Sequence, residues 1–263
     1  MEKNLYYFVS DVHLGLDYNN PQEREKKFSS FLLGLPSNTK ALFLLGDIFD
    51  FWYEYKHVIP RNFTRTLGAL AGLVDKGVEV YFFNGNHDIW TYGYFEKELG
   101  ITVLQQPCVM NLEGVNFCLG HGDGLGKGDT GYKILNSIFK NKFLQFLFSG
   151  IHPYWAFSLG YAWSKHNRLA RGCEAERKGA ATQVCHIPFR GEDERIVKFA
   201  NEFQNKSMQS GGTGKIDYFI FGHFHCPTRM QLKAGGEICI LGEWIHTCDY
   251  LVFDGDQLSV CHV

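Results

Sequence analysis

Short apolar runs that stop abruptly at polar residues set the rhythm of the first third of the chain. LYYFVSD (5–11), ALFLLGD (41–47) and VEVYFFN (78–84) are too short for helices and almost continuously apolar, which predicts buried strands. Between them, PQEREKKFSSFLLGL (21–35), opening on Pro21, and a stretch from about Arg61 to Lys76 space their apolar residues as helices do. Continuously apolar strands alternating with helices predict a largely parallel sheet covered on both faces. In such sheets ligands collect at the carboxyl ends of the strands.

The pattern then changes. CVMNLEGVNFCLGHG (108–122) predicts a hairpin turning at Glu113-Gly114. IDYFIFGH (216–223), TRMQL (228–232), EICILGE (237–243), YLVFD (250–254) and LSVCHV (258–263) predict short strands joined by Gly-rich or Asp-Gly turns. Two packed sheets flanked by helices account for both halves. Roughly 124–185 fits neither pattern. ILNSIFKNKFLQFLFSGIHPYWAFSLGYAW (134–163) predicts two helices, apolar nearly all round and separated near Ser149-Gly150 and Pro153. In SKHNRLARGCEAERKG (164–179), Lys165, Arg168, Arg171, Arg177 and Lys178 outnumber Glu174 and Glu176. An oily helical pair joined to a basic segment suggests a lid whose apolar face holds acyl chains and whose cations meet phosphate. The same pattern fits a helical hairpin packed on the core or on another subunit. Lys140, Lys142 and Pro153 interrupt the longest apolar run, so a spanning helix is not expected.

At 263 residues and 45% hydrophobic the chain can bury one large core, so a single globular unit is expected. A net charge of -2 gives no basic field to attract nucleic acid, and no nucleic-acid partner is expected. The eight cysteines form no C-x-x-C pair, and MEKNLYYFVSD lacks the regions of a signal peptide, which together predict a reducing, cytoplasmic setting.

The chemistry gathers where the apolar runs end: Asp11-Val12-His13, Gly46-Asp47, Gly85-Asn86-His87-Asp88, Gly120-His121-Gly122-Asp123 and Gly222-His223-Phe224-His225. Any one of these alone reads as a hydrogen-bonded structural residue. Together they offer the O and N donors that divalent metals take, delivered by strands to a common edge. Glycines before Asp47, Asn86, His121 and His223 fit close backbone approach at a crowded site.

In this order, D-x-H, GD, GNHD, GH and GHxH resemble the motifs of the calcineurin-like metallophosphoesterase superfamily, over residues 11–225. The resemblance implies an α/β (α+β) fold: a four-layer αββα sandwich of two mixed β-sheets, with a helical lid inserted at about 124–185 in a single domain of residues 1–263. It implies two divalent metal ions, one held by Asp11, His13, Asp47 and His225 and the other by Asp47, Asn86, His121 and His223, with Asp47 bridging. Mn²⁺ is favoured, with Fe or Zn as alternatives. Such a pair lowers the pKa of a shared water and clamps phosphoryl oxygens. His87 is then placed to give a hydrogen bond or a proton to the leaving oxygen, and Asp88 is expected to orient its ring. A third metal ligand or a purely structural ring is the alternative for His87. Asp47 leads into Ile48-Phe49-Asp50-Phe51-Trp52 and not into the D-R-G of phosphoprotein phosphatases, which disfavours a protein substrate.

HGDGLGKGDTGYK (121–133), the Phe-rich insert, the basic segment after it and LGEWIHT (241–247) resemble UDP-2,3-diacylglucosamine pyrophosphatases over nearly the whole chain. That resemblance implies hydrolysis of a lipid-linked UDP-sugar to UMP and 2,3-diacylglucosamine 1-phosphate in lipid A biosynthesis, with peripheral contact at the cytoplasmic face of the inner membrane. It implies head-group contacts at Asn86, His87, Asp129 and His223, and at Lys165, Arg168 and Arg171 of the basic segment. One departure stands out: well-known members carry Arg at the position of His87, giving GNRD. Two alternatives remain, a cytosolic nucleotide pyrophosphatase or phosphodiesterase of the same superfamily and a non-catalytic membrane- or protein-binding module. A retired site should tolerate loss of its ligands, and every candidate is present here.

Overall fold

The computed structural model describes residues 4–128, 130–170, 189–209 and 214–263, without the side chains of 165–170. The apolar runs of the first third form β1 (Leu5–Val9), β2 (Thr39–Leu44) and β3 (Glu79–Phe83), and a short β4 (Thr102–Leu104) follows. Helix α1 (Pro21–Leu33) begins where the side chain of Asn20 accepts the Glu23 amide hydrogen and Pro21 needs no partner for its missing N–H. Helix α2 (Thr64–Asp75) turns Leu67, Leu70 and Leu73 inward. The apolar pattern had marked no element at α3 (Tyr94–Leu99) or β4.

The expected hairpin is β5 (Cys108–Leu112) and β6 (Val115–Gly120); β7 (Tyr218–Phe221), β8 (Thr228–Gln231) and β9 (Glu237–Ile240) come from the final third. These five strands make one sheet, ordered β5-β6-β7-β9-β8, with β6, β7 and β9 parallel and antiparallel strands at both edges. The last hairpin, β10 (Asp249–Phe253) and β11 (Leu258–His262), joins the other sheet, ordered β11-β10-β1-β2-β3-β4. There β10 lies antiparallel to β1, beside the parallel set β1 to β4. Alternation along β10 explains the placement: Leu251 and Phe253 enter the core between the sheets, while Tyr250 and Val252 pack on the helix side.

Helix α7 (Arg195–Gln209), a third element the pattern had not marked, covers the outer face of the five-stranded sheet through Ile196, Val197 and Ala200. Successive layers are therefore α1 and α2, the six-stranded sheet, the five-stranded sheet and α7, with an apolar cluster in each of the three gaps. This is the four-layer αββα architecture.

Among the described residues of the expected insert stand three helices where 134–163 predicted two: α4 (Thr130–Lys140), α5 (Lys142–Ser149) and α6 (Pro153–Ala170). The break after Ser149 falls where the sequence placed it. The additional break arises because Asn141 caps α5, its side chain accepting the amide hydrogens of Phe143 at 3.0 Å and Leu144 at 3.1 Å. No helix among the described residues is long and apolar enough to cross a membrane.

Candidate metal centre

Strands β1, β2, β3, β6 and β7 end at one edge of the sandwich, and the backbone there is stitched across both sheets. Asp11 N–H donates to Gly46 O at 3.1 Å, His13 N–H to Asp47 O at 3.0 Å and Gly222 N–H to His121 O at 2.9 Å. The two sheets meet at Asp11, whose Oδ2 accepts the His223 amide hydrogen at 3.0 Å. The close approach requires glycine: a Cβ on Gly222 would lie 2.5 Å from Asp11 Oδ2, and one on Gly85 would overlap Asp47 Oδ1. The backbone is also strained. Asp11, His13, Asp47, His223 and His225 have φ of 54°, 48°, 52°, 71° and 52°, a left-handed conformation that non-glycine residues keep only where their surroundings dictate it.

That backbone aims the side chains at one another. His225 Nε2 is 3.1 Å from Asp11 Oδ1 and 3.2 Å from His13 Nε2. His121 Nε2 is 3.3 Å from both Asp47 Oδ2 and His223 Nδ1. Asp47 Oδ2 also lies 3.9 Å from His13 Nε2, so this one oxygen stands between a group of Asp11, His13 and His225 and a group of Asp47, His121 and His223. Asn86 Oδ1 is buried with no hydrogen-bond partner, which is costly in a protein interior unless a cation or water takes it up. The His121 tautomer is fixed as well. Nδ1 is 2.8 Å from Leu45 O, which can only accept, so Nδ1 carries a hydrogen and Nε2 is the nitrogen turned to the centre.

Electrostatics agree with a site built for positive charge. Burial works to raise Asp11 and Asp47, but neighbouring imidazoles overcome it: His225 holds Asp11 down to about 2, and His121 with His87 holds Asp47 well below the usual carboxylate range. Burial lowers His13 to about 4, keeping its ring neutral as a ligand must be. Burial also works to lower His121, yet the Asp47 charge lifts it well above an ordinary imidazole. Asp11, His13, Asp47, Asn86, His121, His223 and His225 could hold metal here, and His87 forms a further group of donors with His13 and Asp47. Their buried N and O donors and the orphaned Asn86 oxygen fit divalent ions.

His87 sits at the rim of this group, 8% exposed, with Nε2 4.0 Å from Asp47 Oδ2. Asp88 does not orient its ring, contrary to the sequence reading. The Asp88 carboxylate accepts four amide hydrogens, from Asp47 at 3.1 Å, Ile48 at 2.8 Å, Phe49 at 3.2 Å and Gly85 at 2.8 Å, and so staples the loop after β2 to the loop after β3. Burial, then the Asp47 charge, pushes this carboxyl up to about 7; the backbone donors pull the other way and select the ionised form. The His87 ring is held instead by Asp50, whose carbonyl oxygen is 3.0 Å from Nδ1, and by Ser164 Oγ at 3.1 Å. Sequence reasoning assigned no role to either residue. It also missed Arg24, a buried cation of α1 that donates to the carbonyl oxygen of His13 at 2.8 Å and clamps the loop after β1. Asp50 follows three residues after a metal-type Asp, the one local hint available.

The insert helices dock on an aromatic platform formed by the same loops. Tyr53 Oη donates to Gln145 O at 3.2 Å, Tyr55 Oη to Ile151 O at 3.0 Å and Trp90 Nε1 to Phe139 O at 3.2 Å. Phe51 meets Phe157 and Tyr161, each with ring centroids 5.9 Å apart. The outward faces stay apolar: 10 of the 16 large hydrophobic side chains exposed among the described residues lie on α4 to α6, Phe146 at 71% and Trp155 at 63% among them. Of the expected head-group contacts, Asp129, Arg171 and the side chains of Lys165 and Arg168 lie outside the described residues.

The sequence profile of the calcineurin-like phosphoesterase family matches residues 6–227. The chain belongs to the calcineurin-like phosphoesterase family. This metallophosphoesterase is a metal-dependent hydrolase. It is 35% identical over 258 residues to a UDP-2,3-diacylglucosamine hydrolase of Porphyromonas gingivalis, covering 96% of this chain and 95% of that one. It is 36% identical over 248 residues to a protein of the same name from Aeromonas salmonicida, covering 93% and 88%. A dimetal phosphatase from Danio rerio, known by crystal structure, aligns with a TM-score of 0.46 and 15% identity, over 100% of this chain and 96% of that one.

Proposed function

We propose that this metallophosphoesterase hydrolyses the pyrophosphate of UDP-2,3-diacylglucosamine, releasing UMP and 2,3-diacylglucosamine 1-phosphate. The observation that carries the reading is the pairing of two ligand groups about Asp47 Oδ2 with a docked insert whose outer faces are apolar. Relatives with that activity in their name, similar over most of the chain, support it.

Asp11, His13, Asp47 and His225 would hold one divalent ion and Asp47, Asn86, His121 and His223 the other. When bound, the ions, Mn²⁺ in this proposal, supply an activated water and neutralise the phosphoryl oxygens. The chain's own residues supply orientation. Asp50 O only accepts, so His87 Nδ1 carries the hydrogen of that bond and Nε2 is left facing the reaction centre. His87, as imidazolium, gives the Nε2 proton to the oxygen that leaves. Asp88 keeps Asp47 and Asn86 in register by holding the amides beside them. Asp129, Lys165, Arg168 and Arg171, with Asn86, His87 and His223, would meet the phosphates and sugar. The insert acts as the lid over the lipid, and α4 to α6 rest on the cytoplasmic face of the inner membrane, because a concentration of exposed aromatic and aliphatic side chains matches a lipid surface better than water.

The test is direct. Purified protein with Mn²⁺ releases UMP from UDP-2,3-diacylglucosamine, and His87→Ala lowers kcat by about 10²- to 10⁴-fold while both ions stay bound. Hydrolysis of soluble nucleotides with no turnover of the lipid would replace this reading with a nucleotide pyrophosphatase or phosphodiesterase.

A further inference from the structure

Ser164 of α6 is a buried polar side chain of the insert that reaches the residues facing the metal centre; it is 1% exposed. A mid-helix serine ordinarily returns its hydroxyl hydrogen to its own helix, as Ser158 does by donating to Tyr154 O at 2.7 Å. Ser164 sends its hydrogen outward, donating to Asp50 Oδ2 at 2.9 Å. A hydroxyl has one hydrogen. With that hydrogen on Asp50, the oxygen can only accept along the 3.1 Å contact to His87 Nδ1. Nδ1 already carries a hydrogen toward Asp50 O at 3.0 Å, so both contacts agree that Nδ1 donates, and Nε2 is the nitrogen presented to the centre. One turn earlier on the same face, Gly160 lets α6 approach closely, since a Cβ there would run into the Phe51 ring.

We propose that Ser164 is a positioning residue for hydrolysis: anchored by Asp50, its hydroxyl oxygen holds His87 Nδ1–H so that Nε2 faces the leaving oxygen, and it does so only while α6 is seated on the core. The inference rests on the proposed role of His87. It ties catalytic competence to lid docking, because lifting α6 takes the Ser164 contact from the ring and leaves only that of Asp50 O.

The experiment uses the metal-loaded full chain and two aryl phosphodiesters, with p-nitrophenyl and phenyl leaving groups, alongside UDP-2,3-diacylglucosamine. Phenolate leaves poorly without a proton and p-nitrophenolate leaves well, so the pair reports proton delivery whatever the natural substrate is. Ser164→Ala is expected to lower kcat on the phenyl ester about tenfold with KM within about twofold, and to affect the p-nitrophenyl ester less. Metal content stays unchanged, and Ser164→Thr, which keeps the hydroxyl, recovers most of the rate. In a His87→Ala background, Ser164→Ala adds no further loss, because the two side chains act as one unit. The proposal is overturned if Ser164→Ala changes KM alone, which marks a substrate contact, if it loses metal, or if its effect adds in full to that of His87→Ala. Failure of the wild type on the lipid, with the aryl esters behaving as expected, would sink the substrate assignment and leave this inference standing.

Discussion

Replacing Asp88 with Asn exchanges one acceptor oxygen for an NH₂ group inside a fully buried staple. In the wild type, Oδ1 accepts from Asp47 and Gly85, and Oδ2 from Ile48 and Phe49. Asn can keep one of these pairs. The other two amides then face a donor, with no water to replace the lost acceptor at 0% exposure. Taking the charged acceptor from two buried N–H groups costs about 1.5–3 kcal/mol each, about 3–6 kcal/mol in all. That is a large share of the roughly 5–15 kcal/mol by which such domains are stable. At about 2 °C per kcal/mol for a chain of this size, Tm should fall by about 6–12 °C. The damage falls on the loops that carry Asp47 and Asn86, so bound metal should fall too. Thermal unfolding and elemental analysis read both effects. A variant that keeps its Tm within about 2 °C and its full metal complement, while kcat drops sharply, would refute the staple and restore Asp88 as a partner of the His87 ring.

Metal uptake by the metal-free protein should release protons near neutral pH, from His121 and from His225, which, against burial, the Asp11 charge likewise raises. Burial alone would leave His121 neutral, but the Asp47 charge raises its pKa well above ordinary, so the incoming ion must displace that proton and affinity rises with pH; titration calorimetry in buffers of different ionisation heat would show no buffer dependence if this is wrong. On the insert, Phe146→Asp with Trp155→Asp should weaken co-sedimentation with anionic vesicles about tenfold or more while leaving hydrolysis of a soluble diester intact; equal sedimentation of variant and wild type would move the membrane contact elsewhere.

What sequence reasoning could reach was whatever repeats locally or is written contiguously. An apolar run that ends in Gly-Asp or Gly-Asn-His-Asp names a buried strand and a donor set at once, because strand direction and donor chemistry are both properties of a few adjacent residues. Residues adjacent in the chain can nevertheless point apart. His87 and Asp88 are neighbours, yet the turn after β3 sends one ring toward Asp50 and the other side chain under the backbone of Asp47 and Gly85. Conversely, Asp50 and Ser164 are 114 positions apart and share a hydrogen bond. No local pattern encodes such a meeting; it depends on where α6 docks, which the aromatic contacts of Phe51, Phe157 and Tyr161 determine.

The sequence alone thus determined every named strand but β4, their polar ends and the class of chemistry, since backbone periodicity and side-chain donors are local. Tertiary structure alone decided that β10 and β11 complete the first sheet, that Asp88 staples loops, and that a serine of the insert touches the His87 ring. Those outcomes turn on complementary packing and on hydrogen-bond direction between distant segments, which exist only once the layers have closed.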